Sequence, residues 1–157
     1  HIPFVHQGLN KVLDYGSYQT EIYDYCNVQI GYSDDAVETF DFPKNHMDYG
    51  SNIAAYYFWV FPNMMFNFYP WGLSINIVKP IDINTTKISF LSYVYDKNKL
   101  HKGAGNDLDK VEREDELVVE NVHKGVRSSF YKAGRFSPTR ELGVHHFHRL
   151  LAQFLSN

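Results

Sequence analysis

The sequence predicts a single α+β domain in which an antiparallel sheet comes first and helices follow it. Three observations predict this class. The 157 residues are 44% hydrophobic, which is enough for one core and excludes extended disorder. Residues 54–95 contain four segments rich in β-branched and aromatic residues, joined by short connections. Beyond Gly105, capping residues and apolar residues at helical spacing replace this pattern.

The predicted strands lie between turn-forming residues. The four clearest segments are residues 54–61, 64–69, 73–78 and 87–95. In the third, isoleucines alternate with Ser74 and Asn76, as expected for a strand with one buried face. Residues 18–30 are predicted to add one or two shorter strands. Because the connections are short, and parallel strands need long crossovers, we predict an antiparallel meander.

Two helices are predicted after the sheet. The first has Asn106 as its N-cap, acidic residues in its first turns where the helix dipole favours them, and Gly134 as its stop. The second begins near Ser137 and Pro138 and ends at about Leu155. Its apolar stripe consists of Gly143, Phe147, Leu150, Leu151 and Phe154. We expect both helices to pack on one side of the sheet.

Charge and composition exclude several classes of function. The net charge of −3 argues against a nucleic-acid binder, and no apolar run approaches the roughly 20 residues of a membrane helix. The single cysteine, Cys26, excludes an internal disulfide, a Cys-rich zinc site and a self-contained iron–sulfur cluster. The chain starts at His1 with neither an initiator Met nor a signal peptide, so we expect a piece of a longer protein. Aromatic residues make up 17% of it.

Asp115 lies in the middle of the apolar arc of the first predicted helix, taken over residues 107–131. Glu112 and Glu114, like Arg113 and Glu116, are predicted to point to solvent. A carboxylate on a core-facing arc is costly unless it is paired, protonated or bound to a metal. A salt bridge to an arginine, a cap on a neighbouring element, and a ligand or catalytic role are therefore all open. The arc consists of Leu108, Val111, Val118, Val119, Val122, Val126 and Ser129.

The histidines form two groups of interest. His1 and His6 lie about 140° apart on a regular helix, so they converge only if the backbone leaves the helix between them. Pro3 favours this, because it disfavours helical geometry at the preceding residue. Two such histidines and a remote Asp115 would make a 2-His-1-carboxylate triad, the arrangement that suits Fe(II) with open positions for O₂.

The remaining histidines are predicted to have no metal role. His46 and His101 fall in predicted loops, and His123 lies on a flank of the first helix. In the segment 144–148, only His145 and His148 share a helical face, and no third ligand stands at a suitable spacing. We expect that segment to pack or to form an interface.

Five segments of the sequence carry a resemblance to one known family. They are residues 1–10 (HIPFVHQGLN), with an H-x-P-x-x-H pattern, residues 61–70 (FPNMMFNFYP), residues 112–116 (EREDE), residues 122–128 (VHKGVRS) and residues 141–148 (ELGVHHFH). In this order they resemble segments of Rieske-type ring-hydroxylating oxygenase alpha subunits, in their C-terminal catalytic domain. The first is similar to the family's mononuclear-iron segment, the second to its central strands and the third to its acidic segment. The similarity extends over nearly the whole chain and is weakest at residues 11–50.

This resemblance implies that His1, His6 and Asp115 bind Fe(II), and that the fold is a helix-grip, START-like domain spanning residues 1–157. It also implies O₂-dependent hydroxylation of an aromatic or other small organic substrate, an arene or a quaternary ammonium. Electrons would come from NAD(P)H through a reductase and a Rieske [2Fe–2S] centre in an N-terminal domain that the sequence lacks. A homo-oligomer, a trimer by resemblance, and a cytoplasmic location are implied as well, with no nucleic-acid or membrane partner.

Two other functions remain open from the sequence. The first is a helix-grip domain that binds a small molecule without redox chemistry, with Asp115 held in a salt bridge. The second is a structural or assembly fragment that binds neither iron nor a small ligand. The iron content of the protein distinguishes them from an oxygenase domain.

Overall fold

The computed structural model describes residues 1–34 and 39–156, which form three α-helices, two short 3₁₀ turns and six strands. The strands are β1 (Gln19–Ile22), β2 (Cys26–Tyr32), β3 (Ile53–Val60), β4 (Met64–Tyr69), β5 (Gly72–Pro80) and β6 (Thr86–Val94). The helices are α1 (Ile2–Val5), α2 (Leu108–Gly125) and α3 (Leu142–Leu155), and the 3₁₀ turns are Leu9–Lys11 and Gly103–Gly105. None of the helices in these ranges is both long and apolar enough to cross a membrane.

The six strands form one sheet in sequence order, each antiparallel to the next. This confirms the predicted α+β class and the predicted meander. The strand predictions are close to the observed bounds, and β5 is longer than predicted at both ends. Pro80 belongs to β5 as its last residue rather than to the following turn. A strand end tolerates proline, which has no N–H to donate to the ladder.

One face of the sheet, called the inner face here, lies against the helices. Residues opposite each other in antiparallel strands share a face, and the pairing Asn27–Trp59, Trp59–Met65 and Met65–Asn76 places these four side chains together. Phe147 of α3 packs edge-on against Trp59, with ring centroids 5.1 Å apart. The Asn76 amide donates to Glu112 of α2 at 3.1 Å. The inner face therefore combines aromatic rings with buried amides.

Two apolar clusters make up the core. The first joins strands β3 and β4 to the β4–β5 connection, to the segment after the first 3₁₀ turn and to the 3₁₀ turn before α2. Its buried members are Leu13, Ala54, Ala55, Tyr69, Trp71 and Ala104. The second lies between β2 and β3 and consists of Val28, Ile30 and Ile53. Because the first cluster includes Ala104, it fixes the point from which α2 starts.

Both predicted helices have different ends in the structure. The N-cap of α2 is Asp107 rather than Asn106, and its carboxylate accepts from the Lys110 backbone N–H. The helix ends at Gly125, well before Gly134, because glycine is a poor helix former and the chain then enters turns. The second helix starts at Leu142 instead of Ser137. Residues 137–141 form a turn in which the Glu141 carboxylate accepts from the Ser137 backbone N–H at 2.6 Å.

The apolar arc of α2 is buried only in part. Leu108 and Val111 are half-buried, but Val119 and Val122 are 63% and 56% exposed. The prediction that this arc faces the core is therefore wrong for the C-terminal half of the helix. Beyond that end, Arg127 donates to the Ile83 carbonyl at 3.3 Å and to the Asn84 side-chain oxygen at 2.7 Å, in the β5–β6 connection.

Gly105 provides a test of how tightly the start of α2 is packed. A Cβ at this position would lie 2.2 Å from Trp71 Nε1 and 2.8 Å from the Tyr69 ring, both buried. We expect Gly105→Ala to lower the free energy of unfolding by about 1–3 kcal/mol through overpacking, measured by urea denaturation. Gly125→Ala is the matched control, because nothing lies within 4 Å of its added Cβ. An equal loss in both variants would contradict this packing.

Candidate metal centre

His1 and His6 stand at the two ends of the one-turn helix α1. His1 is the N-cap, its carbonyl accepting from the Val5 backbone N–H at 2.8 Å, and His6 is the C-cap. The expectation that the backbone leaves the helix between them is wrong, because Pro3 occupies the first turn, where a missing N–H costs nothing. The chain leaves helical geometry at His6 itself (φ −102°, ψ 71°), and the two rings lie 5.0 Å apart.

Asp115 of α2 meets both histidines. Its Oδ1 lies 3.0 Å from His6 Nε2 and 3.6 Å from His1 Nε2. One ligand atom from each of the three residues lies within 4.8 Å of the others, and no other trio of His, Cys, Asp or Glu among residues 1–34 and 39–156 does so. His6 is 1% exposed, whereas Asp115 is half-buried and His1 is exposed. The structure thus brings together all three residues that the sequence singled out.

The three side chains fit a metal ion by their donor chemistry. Two imidazole nitrogens and one carboxylate oxygen form the donor set of a facial triad, which suits Fe(II) and leaves positions open. Ligand atoms about 2.1 Å from one ion and at right angles to each other lie about 3.0 Å apart. The separations of 3.0 and 3.6 Å are near that value.

The protein environment makes the Asp115 charge costly. Burial raises the pKa of Asp115 above its usual value, and the neighbouring His6 opposes that shift. The negative charge of Glu114 raises it further, although less strongly. A cation bound at this point would favour the ionised carboxylate and offset the cost.

Two acidic residues of α2 lie where the sequence did not predict them. Glu114 and Glu112 were expected to point to solvent, and the structure shows that this is wrong for both. Glu114 Oε2 lies 2.8 Å from His6 Nδ1, and Glu112 accepts from Asn76. The physical reason is that α1 and strand β5 cover flanks of α2 that a single-helix projection assigns to solvent.

The pKa of Glu112 is raised above its usual value, chiefly by burial, with the Asn76 hydrogen bond opposing the shift. A raised folded-state pKa means that the native state holds this proton more tightly than the unfolded chain does. Stability therefore falls as pH rises through the interval above the ordinary glutamate pKa. We expect Glu112→Gln, which keeps an acceptor for Asn76, to raise the Tm of the metal-free protein at pH 7 but not at pH 4. A Tm lower than wild type at pH 7 would contradict this expectation.

The other histidines occupy packing and surface positions. His145 and His148 both contact the Phe136 ring, at 5.3 and 5.2 Å between centroids. His146 meets Trp59 edge-on at 6.1 Å. His101 is exposed, in keeping with its predicted loop position. These contacts agree with the packing role expected for the C-terminal histidines.

Comparison with known sequences identifies a family. A family model described as the ring hydroxylating alpha subunit (catalytic domain) matches residues 1–157. A choline monooxygenase of Arabidopsis thaliana chloroplasts is 32% identical over 156 residues, which cover 96% of this chain and 35% of that protein. The carnitine monooxygenase oxygenase subunit of Escherichia coli K12 is 27% identical over 162 residues, covering 94% and 41%. The chain thus spans about a third of the length of the choline monooxygenase.

Solved structures share the fold. A quaternary ammonium Rieske monooxygenase that oxidises carnitine superposes with a TM-score of 0.73 at 20% identity, over 98% of this chain and 43% of that one. A complex of such an enzyme with its substrate gamma-butyrobetaine gives a TM-score of 0.58 over 87% of this chain and 38% of the other, also at 20% identity. Because the family model covers the whole sequence, the chain belongs to the ring hydroxylating alpha subunit family and corresponds to its catalytic domain.

Proposed function

We propose that this chain is the catalytic domain of a Rieske-type non-haem iron oxygenase, with His1, His6 and Asp115 as the ligands of a mononuclear Fe(II). The observation that carries the proposal is the convergence of Asp115 Oδ1 on His6 Nε2 at 3.0 Å and His1 Nε2 at 3.6 Å. These residues come from the two ends of α1 and from the middle of α2, far apart in sequence. Convergence of this donor set across such a separation favours a metal site over a single salt bridge.

Each ligand has a distinct task in this proposal. His6, 1% exposed, holds the metal from the protein interior, while the exposed His1 closes the site on the solvent side. Asp115 supplies the anionic ligand that offsets part of the metal charge. An Fe(II) ion so held supplies O₂ activation at its open positions. The half-burial of Asp115 limits the access of water to that point.

The complete enzyme requires parts beyond these residues. We propose an electron supply from NAD(P)H through a reductase and a Rieske [2Fe–2S] domain, because Cys26 is the single cysteine of the sequence and a Rieske centre needs two. We further propose that residues 1–157 form a single domain with a helix-grip arrangement, in which α2 lies across the inner face. We also propose that the protein assembles as a trimer and is located in the cytoplasm. The likeness to solved Rieske monooxygenases at TM-scores up to 0.73 supports the helix-grip arrangement.

For the substrate we propose a small quaternary ammonium compound. The matched relatives are named for choline and carnitine, and both compounds carry a quaternary nitrogen. The inner face carries the half-buried ring of Trp59, and an indole ring attracts a quaternary ammonium by cation–π contact. Glu112, on the helix above this face, places a carboxyl group there, and a bound cation would favour its ionised form. An arene would gain nothing from that carboxylate.

Iron binding tests the proposed site. We expect the chain, titrated with Fe(II) under argon in a calorimeter, to bind one ion per molecule. A chain that takes up no iron yet binds a small hydrophobic ligand would replace this proposal with the non-redox binding domain. A chain that binds neither would indicate a structural fragment.

Ligand preference tests the proposed substrate class. We expect the iron-loaded chain to bind choline or carnitine more tightly than toluene. Raising the ionic strength should weaken that binding, because part of it is electrostatic. Tighter binding of toluene, independent of salt, would assign the domain to arene hydroxylation instead.

A further inference from the structure

We propose that Glu114 is a positioning residue for His6, holding the ring with its Nδ1–H toward Glu114 and its Nε2 lone pair toward the metal. This inference rests on the proposed function, because it concerns how the chain presents one of its iron ligands. It assigns a role to a side chain that the sequence pattern placed in solvent.

The contacts of the His6 ring carry the inference. Nδ1 lies 2.8 Å from Glu114 Oε2, and Nε2 lies 3.0 Å from Asp115 Oδ1. With the whole residue only 1% exposed, water has little access to either nitrogen. The orientation of this ring is therefore set by two carboxylates of α2, one at each nitrogen.

The two carboxylates have different roles because only one of them faces the second histidine. His6 Nε2 shares Asp115 Oδ1 with His1 Nε2, so the metal position lies on that side of the ring. A metal bound at Nε2 takes its lone pair, and the neutral imidazole then carries its hydrogen on Nδ1. Glu114 is the acceptor in place for that hydrogen. The opposite tautomer would set the Nδ1 lone pair against a carboxylate oxygen, which is repulsive.

The geometry of α2 explains how one helix serves both nitrogens. Consecutive helical residues diverge by about 100°, so Glu114 and Asp115 approach the ring along different edges. The other oxygen of Glu114, Oε1, lies 4.0 Å from Lys110 Nζ, one turn earlier on the same helix. Metal-bound histidines commonly have such a carboxylate partner on the second nitrogen, and it raises the basicity of the ligand.

The test measures metal affinity and the state of the ring together. Zn(II) serves as a diamagnetic probe for NMR of ¹⁵N-labelled protein, and Fe(II) is titrated under argon. In wild type we expect His6 to coordinate through Nε2, with an Nδ1–H signal shifted downfield and slow to exchange with water. Glu114→Ala should lose that signal and bind Fe(II) about 10–100-fold more weakly. Glu114→Gln, which retains an acceptor oxygen, should recover part of the Nδ1–H signal and part of the Fe(II) affinity. Glu116→Ala, an exposed acid on the same helix, should match wild type.

Several results would overturn the inference. Coordination of the metal by His6 through Nδ1 in the wild-type protein would overturn it. That result needs no variant, so it counts even if Glu114→Ala does not fold. Wild-type affinity in a folded Glu114→Ala variant would overturn it as well. Failure of the wild-type chain to bind any metal would instead overturn the proposed function, so the two failures are distinguishable.

Discussion

Replacing Asp115 with alanine is expected to abolish tight Fe(II) binding while leaving a folded protein. Asp115 provides the oxygen donor that lies 3.0 and 3.6 Å from the two histidine nitrogens. Structural zinc sites with four ligands gain about 10–16 kcal/mol, so one lost ligand corresponds to roughly 100- to 1,000-fold in affinity. The fold should survive because burial destabilises the charged carboxylate, as its raised pKa shows. In the complete enzyme, activity should disappear together with the iron.

The measurement is anaerobic Fe(II) titration, with circular dichroism to confirm folding. Asp109→Ala is the matched control, because Asp109 is an exposed acid in the first turn of the same helix. It should bind iron as the wild type does. Full iron retention by Asp115→Ala would remove this residue from the site and revive the salt-bridge interpretation.

The sheet could be predicted from sequence because its signals are local. β-branched and aromatic runs mark β3 to β6, and prolines lie in the first two connections between them and at the end of β5. Short connections then leave an antiparallel meander as the one economical topology. The helix ends could not be predicted equally well, since they depend on competing local contacts. The side chain of Glu141, for example, bonds back to Ser137 and holds the chain in a turn where proline had suggested a helix start.

Amphipathic spacing also says less about burial than it does about secondary structure. The apolar arc of α2 is regular over its whole length, yet Val119 and Val122 remain largely exposed. A periodic pattern identifies which residues share a helix face. It does not say how far along the helix the rest of this chain covers that face.

The site was predicted in part. Asp115 was found because a carboxylate in the middle of an apolar arc needs an explanation, and the two histidines because their spacing could converge at a helix end. Glu114 was missed because its role depends on the contact with His6 at the end of α1. A helical wheel of α2 alone does not show where α1 packs against it. The neighbouring acids Glu114 and Glu116 look alike in sequence. Only the packing of His6 separates them.

The two histidine ligands should differ sharply in what they contribute to folding. His1→Ala removes a side chain that is 59% exposed, so we expect unchanged stability in the metal-free protein. His6→Ala empties a buried position and removes the partner of Glu114 and of Asp115. We expect it to lower the free energy of unfolding by on the order of 3 kcal/mol, from the cavity and from two unpaired carboxylates that are partly exposed.

Both variants should nevertheless lose iron binding by roughly 100-fold or more, because each lacks one of three protein ligands. Urea denaturation of the metal-free proteins measures the loss of folding stability separately from the loss of iron binding. Added Fe(II) should stabilise the wild type in the same assay and neither variant, since a ligand stabilises only the fold that binds it. If His1→Ala were as destabilised as His6→Ala, the exposed histidine would have a structural role that its position does not indicate. If His6→Ala kept wild-type stability and lost only iron, the contacts of its ring with Glu114 and Asp115 would serve the metal rather than the fold.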